Sequence, residues 1–412
     1  MTTGRLLAAR GPDLAAHHQR FGALPEQLGT PLATLLDQAG LTGRGGAGFP
    51  TGRKLASVTG RKAVVIGNGA EGEPLSHKDA ELLTRAPHLV LDGLNVAAAA
   101  VAAEKVVIYV PARTVPAVEV ALDERRSAGL DRRRVTVVEA PDRFVAGEES
   151  AVVRRVEGGP AIPRDRTVLT SSSGVRGRPT LVNNVETLAH MALIARYGPQ
   201  WFRSVGDASE PGTMLVTLTG GPSMRSVLEV PTGTRLDDLI GQLGFTEPGA
   251  LRAVLVGGYH GAWIPGAMIS GTRLSRTGLA QLGANPGAGI INALPMDQCG
   301  LARTADILGY LAGESAQQCG PCINGLPRLA ALFDELAYRT VDDRLLADLY
   351  RMIDLVDGRG ACRHPDGTAR LARSALDTFA SDITQHRHGR CEAVRASAQR
   401  SGDGRHRVLG SR

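Results

Sequence analysis

An α/β fold built on a parallel sheet is what this sequence predicts, and three observations carry that expectation. The runs KAVVIGN (62–68), KVVIYV (105–110) and RVTVVEA (134–140) are short and apolar, as buried strands are. Between and after them lie helical patterns at 87–103, 115–128 and from Glu148 onward. The first run leads straight into a loop rich in glycine and glutamate. Strand and helix alternating at this spacing give parallel strands covered on both faces. In such sheets ligands bind at the carboxyl ends of the strands.

From Gly212 the texture changes. MLVTLTG, SVLEVP, TRLDDLIGQLG and LRAVLVGG predict strand, strand, helix and strand within a small span, the make-up of a β-grasp module. A Gly/Pro-rich stretch, LGANPGAGIINALP, is expected to link it to a helical C-terminal bundle that holds every cysteine. The expected divisions are an N-terminal arm (1–40), an α/β nucleotide-binding domain (41–205), a β-grasp module (210–285), a helical domain (296–392) and a basic disordered tail (393–412).

Composition bounds the function. The 412 residues, 43% of them hydrophobic, suffice for about three domains. The net charge of +6 is mostly arginine spread along the chain, without the aromatic and basic interleaving of a nucleic-acid surface. No nucleic-acid partner is expected; an acidic electron carrier such as a ferredoxin suits a basic surface better. The longest apolar stretch, 88–111, is broken by Asp92, Glu104 and Lys105, so no membrane span is expected and the location is cytoplasmic. Five cysteines in a chain without a secretion signal point to thiols and metal rather than disulfides.

The densest motif is GRGGAGFPTGRK, 43–54. Its five glycines remove the Cβ atoms that would hold a ligand away, so successive N–H groups can converge on a phosphate. Arg44 or Lys54 would balance the phosphate charge. NGAEGEP (68–74) and HKD (77–79) follow the first strand. Asn68 offers a donor and an acceptor to an isoalloxazine edge; Glu71 and Glu73 accept, which suits ribose hydroxyls or a carboxamide N–H. AGEESA (146–151) sets Gly147, Glu148 and Glu149 at a helix start, and GRPTLVNNVETLA (177–189) adds Asn183 and Asn184 at another.

In this order, these strings resemble the 51-kilodalton family of respiratory complex I subunits, which includes soluble diaphorase subunits of NAD-reducing hydrogenases and formate dehydrogenases. The resemblance spans about 41–391. It implies FMN held by Gly43, Gly45, Gly46 and Asn68, with Asn183 and Asn184 near its phosphate. NADH would stack beside Phe49 and meet Glu73 and Glu149, while Lys54 and Lys78 offset cofactor charge. No catalytic acid or base is needed, because hydride passes directly between the two cofactors. Three positions depart from the family. Ala70 replaces an acidic residue, which brings NGAEGEP closer to the related Rnf ferredoxin–NAD flavoproteins, and Ser57 and Leu169 stand where two rings sandwich the adenine.

The resemblance also implies a 4Fe–4S cluster. Cys319 and Cys322 in ESAQQCGPC and Cys362 in GRGACRHP match three of its ligands, and Ala316 stands in the place of the fourth. The outcomes left open are a fourth ligand such as His364 or water, a recruited Cys299, a 3Fe–4S cluster, or buried thiols with no cluster; a zinc site on the same residues is a weaker alternative. Cys391 matches another family cysteine. His190 and His260 are expected to be isolated. The functional expectation is NADH oxidation on FMN, with electrons leaving through an iron–sulfur centre to a partner protein. Flow from ferredoxin to NAD, or a scaffold without catalysis, are the alternatives.

Overall fold

The computed structural model describes residues 4–131, 133–165, 168–220, 225–245, 249–339 and 341–393. The basic tail expected at 393–412 lies outside them except for Ala393.

Four parallel strands form the first sheet: β1 (Val64–Asn68), β2 (Lys105–Pro111), β3 (Val135–Ala140) and β4 (Thr180–Asn184), in the order β3-β2-β1-β4. β1 and β2 are buried on both faces, which explains their unbroken apolar sequences. Edge strand β3 is half-exposed and alternates Thr136 and Glu139 with valines. Helix Pro87–Ala100 opens on a proline, where the missing N–H costs nothing, and buries most of its length against helix Val185–Arg203. The two helices meet at Gly93, where a Cβ would stand 1.8 Å from the Leu188 carbonyl oxygen.

The second sheet has five strands: β5 (Thr213–Thr219), β6 (Ser226–Pro231), β7 (Leu251–Val256), β8 (Ala262–Pro265) and β9 (Ile290–Pro295). Their order is β6-β5-β9-β7-β8, with β5 and β9 parallel and the remaining neighbours antiparallel. The stretch expected to be a linker instead supplies β9, the central strand. IINALP is short and framed by glycine and proline, so its apolar run is hidden in a loop-like composition.

The N-terminal arm is folded as well. Its helices Leu14–Phe21 and Leu32–Ala39 bury Phe21, Leu32 and Leu36 in the core of the first sheet. Arg5 lies over the Trp201 ring at 4.0 Å and donates to the carbonyls of Trp201 and Phe202. The C-terminal helices Gly300–Gly313, Leu326–Tyr338, Asp343–Val356, His364–Thr378 and Ala380–Arg387 share one core with Ala253, Leu255 and Trp263 of the second sheet. No helix among the described residues is long and apolar enough to cross a membrane.

Candidate functional site

The order β3-β2-β1-β4 places a topological switch between β1 and β4, where the connections leave in opposite directions and open a crevice. Register pairs Gly67 with Asn183 and Asn68 with Asn184 at that point. Asn184 then caps helix Val185–Arg203 by accepting from the Glu186 N–H at 3.0 Å.

The glycine loop packs over this crevice. A bridge between Thr42 and Pro50 and a 2.9 Å bond from Gly43 N–H to the Phe49 carbonyl close its neck. The Arg44 N–H donates to Thr187 Oγ1 at 2.9 Å, tying the loop to the helix that follows β4. A Cβ on Gly45 would sit 3.3 Å from the Cβ of Asn184, so any side chain there would have to push Asn184 back by a few tenths of an ångström. Gly48 (φ 62°) lies under the Arg276 guanidinium, which would stand 1.7 Å from an added Cβ. Arg276 also donates to the Gly46 carbonyl and pairs with Glu210 at 3.1 Å. Beside the Arg44 side chain, which is buried near Glu186 and Glu210, lies a cavity of about 20 Å³ with room for one water.

The expected polar residues gather round this loop. Asn68 donates to the Gly147 carbonyl at 2.9 Å and accepts from the Ala70 N–H. Lys54 donates to the Val182 carbonyl at 2.6 Å and pairs with Glu149 at 3.1 Å. Glu148 caps helix Glu149–Val156 by accepting from the N–H groups of Ser150 and Ala151. Glu71 is tied to the start of helix Lys78–Arg85, accepting from Ser76 Oγ and from the N–H groups of Asp79 and Ala80.

Lys78 is fully buried between Asp79 (2.6 Å) and Glu186 (2.9 Å). Burial alone would lower its pKa; the two carboxylates raise it above the ordinary lysine value, so the ammonium stays charged. Its charge is already matched inside the protein. Asp79 in turn accepts from Asn184 Nδ2 at 2.7 Å. Glu73 accepts from the Tyr259 N–H at 2.9 Å, and burial pushes its pKa up to about 7.

The residues fit a flavin nucleotide on two counts. The loop is glycine where side chains would crowd Asn184, and buried polar atoms around it, Arg44 Nε, Thr51 Oγ1 and Asn183 Nδ2 among them, have no hydrogen-bond partner among the described residues. Buried polar groups are satisfied in native states, so these atoms suit a ligand. At the rim, Phe49 is 50% exposed with Arg53 over its ring, and Leu169 is exposed.

In the helical domain, Cys319 and Cys322 lie at the turn preceding helix Leu326–Tyr338, and the Ile323 N–H donates to the Cys319 carbonyl. Cys322 is buried; burial first, then its neighbours Cys319 and Cys362, push its thiol up to about 12. The Cys362 thiol is pushed up as well, by burial first. Two of the outcomes left open for the fourth position meet competing contacts. His364 has both ring nitrogens engaged, one with His260 Nε2 at 3.1 Å and one with the Leu311 carbonyl at 2.8 Å. Cys299 is gathered elsewhere, with His386 at 3.7 Å and Cys391, all three ligand atoms lying within 4.8 Å of one another. His260 is thus not isolated: it stacks on Phe144 and His364. His190 is a core residue packed edge-on against Phe202.

Residues 36–193 match the family model described as the Nuo51 FMN-binding domain, and residues 302–386 match the NADH-ubiquinone oxidoreductase-F iron-sulfur binding region. These matches support the 51-kilodalton family of complex I for this chain. Among members of that family, it is 29% identical over 381 residues to an F-type NADH-quinone oxidoreductase chain of Rhizobium meliloti, covering 88% of this chain and 90% of that one. It is 28% identical over 369 residues to HndC, a chain of the NADP-reducing hydrogenase of Solidesulfovibrio fructosivorans, covering 85% and 75%. The structure of an NAD+-reducing [NiFe]-hydrogenase in the H2-reduced state matches with a TM-score of 0.79 and 28% identity over 85% of this chain. The chain spans 62% of the length of that hydrogenase chain.

Some residues of the 51-kilodalton-type site were not legible in the sequence. Arg276 reaches the glycine loop from the second module, and Thr187 from beyond β4. Arg276 carries no local signal, and Thr187, though inside the 177–189 string, has nothing there to mark its contact with the loop. Asp79, by contrast, stood in the HKD string and is held by both Lys78 and Asn184.

Proposed function

We propose that this chain oxidises NADH on an FMN bound at the switch point and passes the electrons through an iron–sulfur centre to a partner electron carrier. The observation that carries this reading is the glycine loop laid over Asn184, at the only point where the strand order of the parallel sheet reverses among the described residues. Bound FMN would take a hydride from NADH and give up the electrons one at a time.

The chain's own residues bind and orient. Gly43, Gly45 and Gly46 would offer backbone N–H groups to the phosphate, with Asn183 and Asn184 beside them. Asn68, Gly147 and Glu148 would line the flavin, and Lys54, bridged to Glu149, would keep a cation at its edge. Phe49 would stack on the nicotinamide, with Glu73 accepting from its carboxamide. Lys78, matched by Asp79 and Glu186, would position Asn184 rather than neutralise the cofactor. Cys319, Cys322 and Cys362 would ligate the cluster, and His260 and Phe144 pack alongside.

We further assign the five-stranded sheet to a β-grasp module extended to 295 so as to include β9. Its strand order, parallel pair β5–β9 and helix Leu236–Gln242 support this. The stretches 41–205 and 296–392 are assigned to the nucleotide-binding and cluster domains. The basic surface suits an acidic partner protein.

The test is an anaerobic titration of the FMN-reconstituted chain. NADH is expected to bleach the flavin absorbance stoichiometrically. A flavin that only reduced ferredoxin bleaches would reverse the direction of flow, and one that neither donor bleaches would leave a binding scaffold.

A further inference from the structure

The cysteine site departs from four-thiolate ligation in a way that has chemical consequences. The chain has five cysteines, all free thiols. Two of them, Cys299 and Cys391, are committed to the separate group around His386. The remaining three, Cys319, Cys322 and Cys362, all lie within the stretch 302–386 that matches the iron-sulfur binding region. Among the described residues their sulfurs do not form a group lying within 4.8 Å of one another, as the ligands of a single ion would, whereas a cubane spaces its thiolates more widely.

At the fourth corner, three residues before Cys319, stands Ala316, whose side chain offers no ligand atom. The loop carrying it is fixed. Gln317 holds a left-handed backbone (φ 51°), uncommon for a side chain of its size, and Gln318 donates to the Pro163 carbonyl at 2.9 Å. The neighbouring candidates for a replacement ligand are engaged: His364 uses both ring nitrogens, and Glu148 caps its helix. Ser315 is buried with no partner for its hydroxyl, one residue from the corner.

We propose that the cluster of this chain rests on Cys319, Cys322 and Cys362 alone, leaving the iron at the Ala316 corner without a protein ligand and open to water, hydroxide or small anions. The inference depends on the reading above that this region holds an iron–sulfur cluster. An iron without a thiolate is the one that leaves on oxidation. A one-electron oxidant such as ferricyanide then converts a [4Fe–4S]2+ core to [3Fe–4S]+, releasing Fe2+ and giving the electron to ferricyanide. Reduction by one electron followed by added Fe2+ restores the original core.

The experiment uses the full chain, reconstituted anaerobically with iron and sulfide and followed by paramagnetic resonance and metal analysis. Ferricyanide is expected to yield the 3Fe–4S signal with loss of about a quarter of the iron, and dithionite with Fe2+ to reverse it. Cyanide should shift the reduced 4Fe–4S signal. Ala316→Cys should abolish both effects while keeping the iron content at the four-iron level. The wild-type cycle needs no substitution, so a variant that misfolds does not block the test. A wild-type cluster that keeps all its iron under ferricyanide and ignores cyanide overturns the proposal. So does a Ser315→Ala change that alone creates the open-iron behaviour, because the serine would then be the ligand. Absence of iron from both proteins overturns it as well. Flavin absorbance and its bleaching by NADH, read on the same samples, report separately on the flavin reading.

Discussion

Asn184 donates from Nδ2 to the main-chain carbonyl of Asn68 at 3.3 Å, joining the carboxyl ends of β4 and β1 where the glycine loop comes down on them. The same side chain caps helix Val185–Arg203 and donates to Asp79 at 2.7 Å. One residue thus holds the sheet, the helix start and the buried ion network together. Asn184→Ala should lower stability by about 1–2 kcal/mol through loss of the cap. Urea unfolding of the variant against wild type measures it.

Lys78 is the most consequential buried charge near the site. Removing it leaves the buried carboxylates of Asp79 and Glu186 facing each other without a cation. Breaking a buried pair in this way costs about 3–5 kcal/mol. Lys78→Met should lose about that much in denaturant unfolding, and the Lys78→Met/Glu186→Gln double variant should recover part of it. Equal loss in both would show that the cost does not come from the Glu186 carboxylate left without its cation.

Glu73 sets a pH dependence. Its pKa is raised by burial to about 7, against an unfolded value near 4.5. The native state therefore favours the protonated carboxyl. Its contribution to stability is full below the unfolded value and is lost as pH rises through about 7. Wild type should lose up to about 3 kcal/mol from this group between acidic and alkaline pH. Glu73→Gln should flatten that part of the profile; an unchanged profile would mean that the carboxylate is ionised in the folded protein.

Phe49 is half-exposed and contributes little to the core. Phe49→Ala should leave the melting temperature nearly unchanged, because exposed substitutions rarely shift stability by more than about 0.5 kcal/mol. The KM for NADH should rise several-fold with a smaller change in kcat, the pattern of lost ground-state stacking. Steady-state kinetics with an artificial acceptor resolve the two constants.

The parallel sheet was legible because β1 and β2 are buried on both faces and their apolar runs need no partner to be recognised. β4 was hidden, since TLVNN is short and runs directly into the helix that Asn184 caps, so its asparagines looked like a helix entrance alone. β9 disappeared into a glycine- and proline-rich stretch whose central position comes from pairing with β5 and β7. Among the site residues, Gly45, Asn68 and Asn184 stood in strings whose chemistry could be argued locally. The Arg276 contact on Gly48, the His260–His364 pair and the grouping of Cys299 with His386 and Cys391 join residues 87 or more positions apart. Only the fold brings them together.

Flavin binding at the glycine loop is measured most directly by titrating FMN into the chain and into Gly45→Val while following quenching of flavin fluorescence. The added methyls would meet Asn184, whose Cβ already stands 3.3 Å from the position of a Cβ on Gly45. Wild type should bind one FMN per chain, and the variant, held well below its own unfolding midpoint, should bind at least about tenfold more weakly, or about 1.4 kcal/mol. Equal affinity in the two proteins, or no quenching in either, would contradict the assignment.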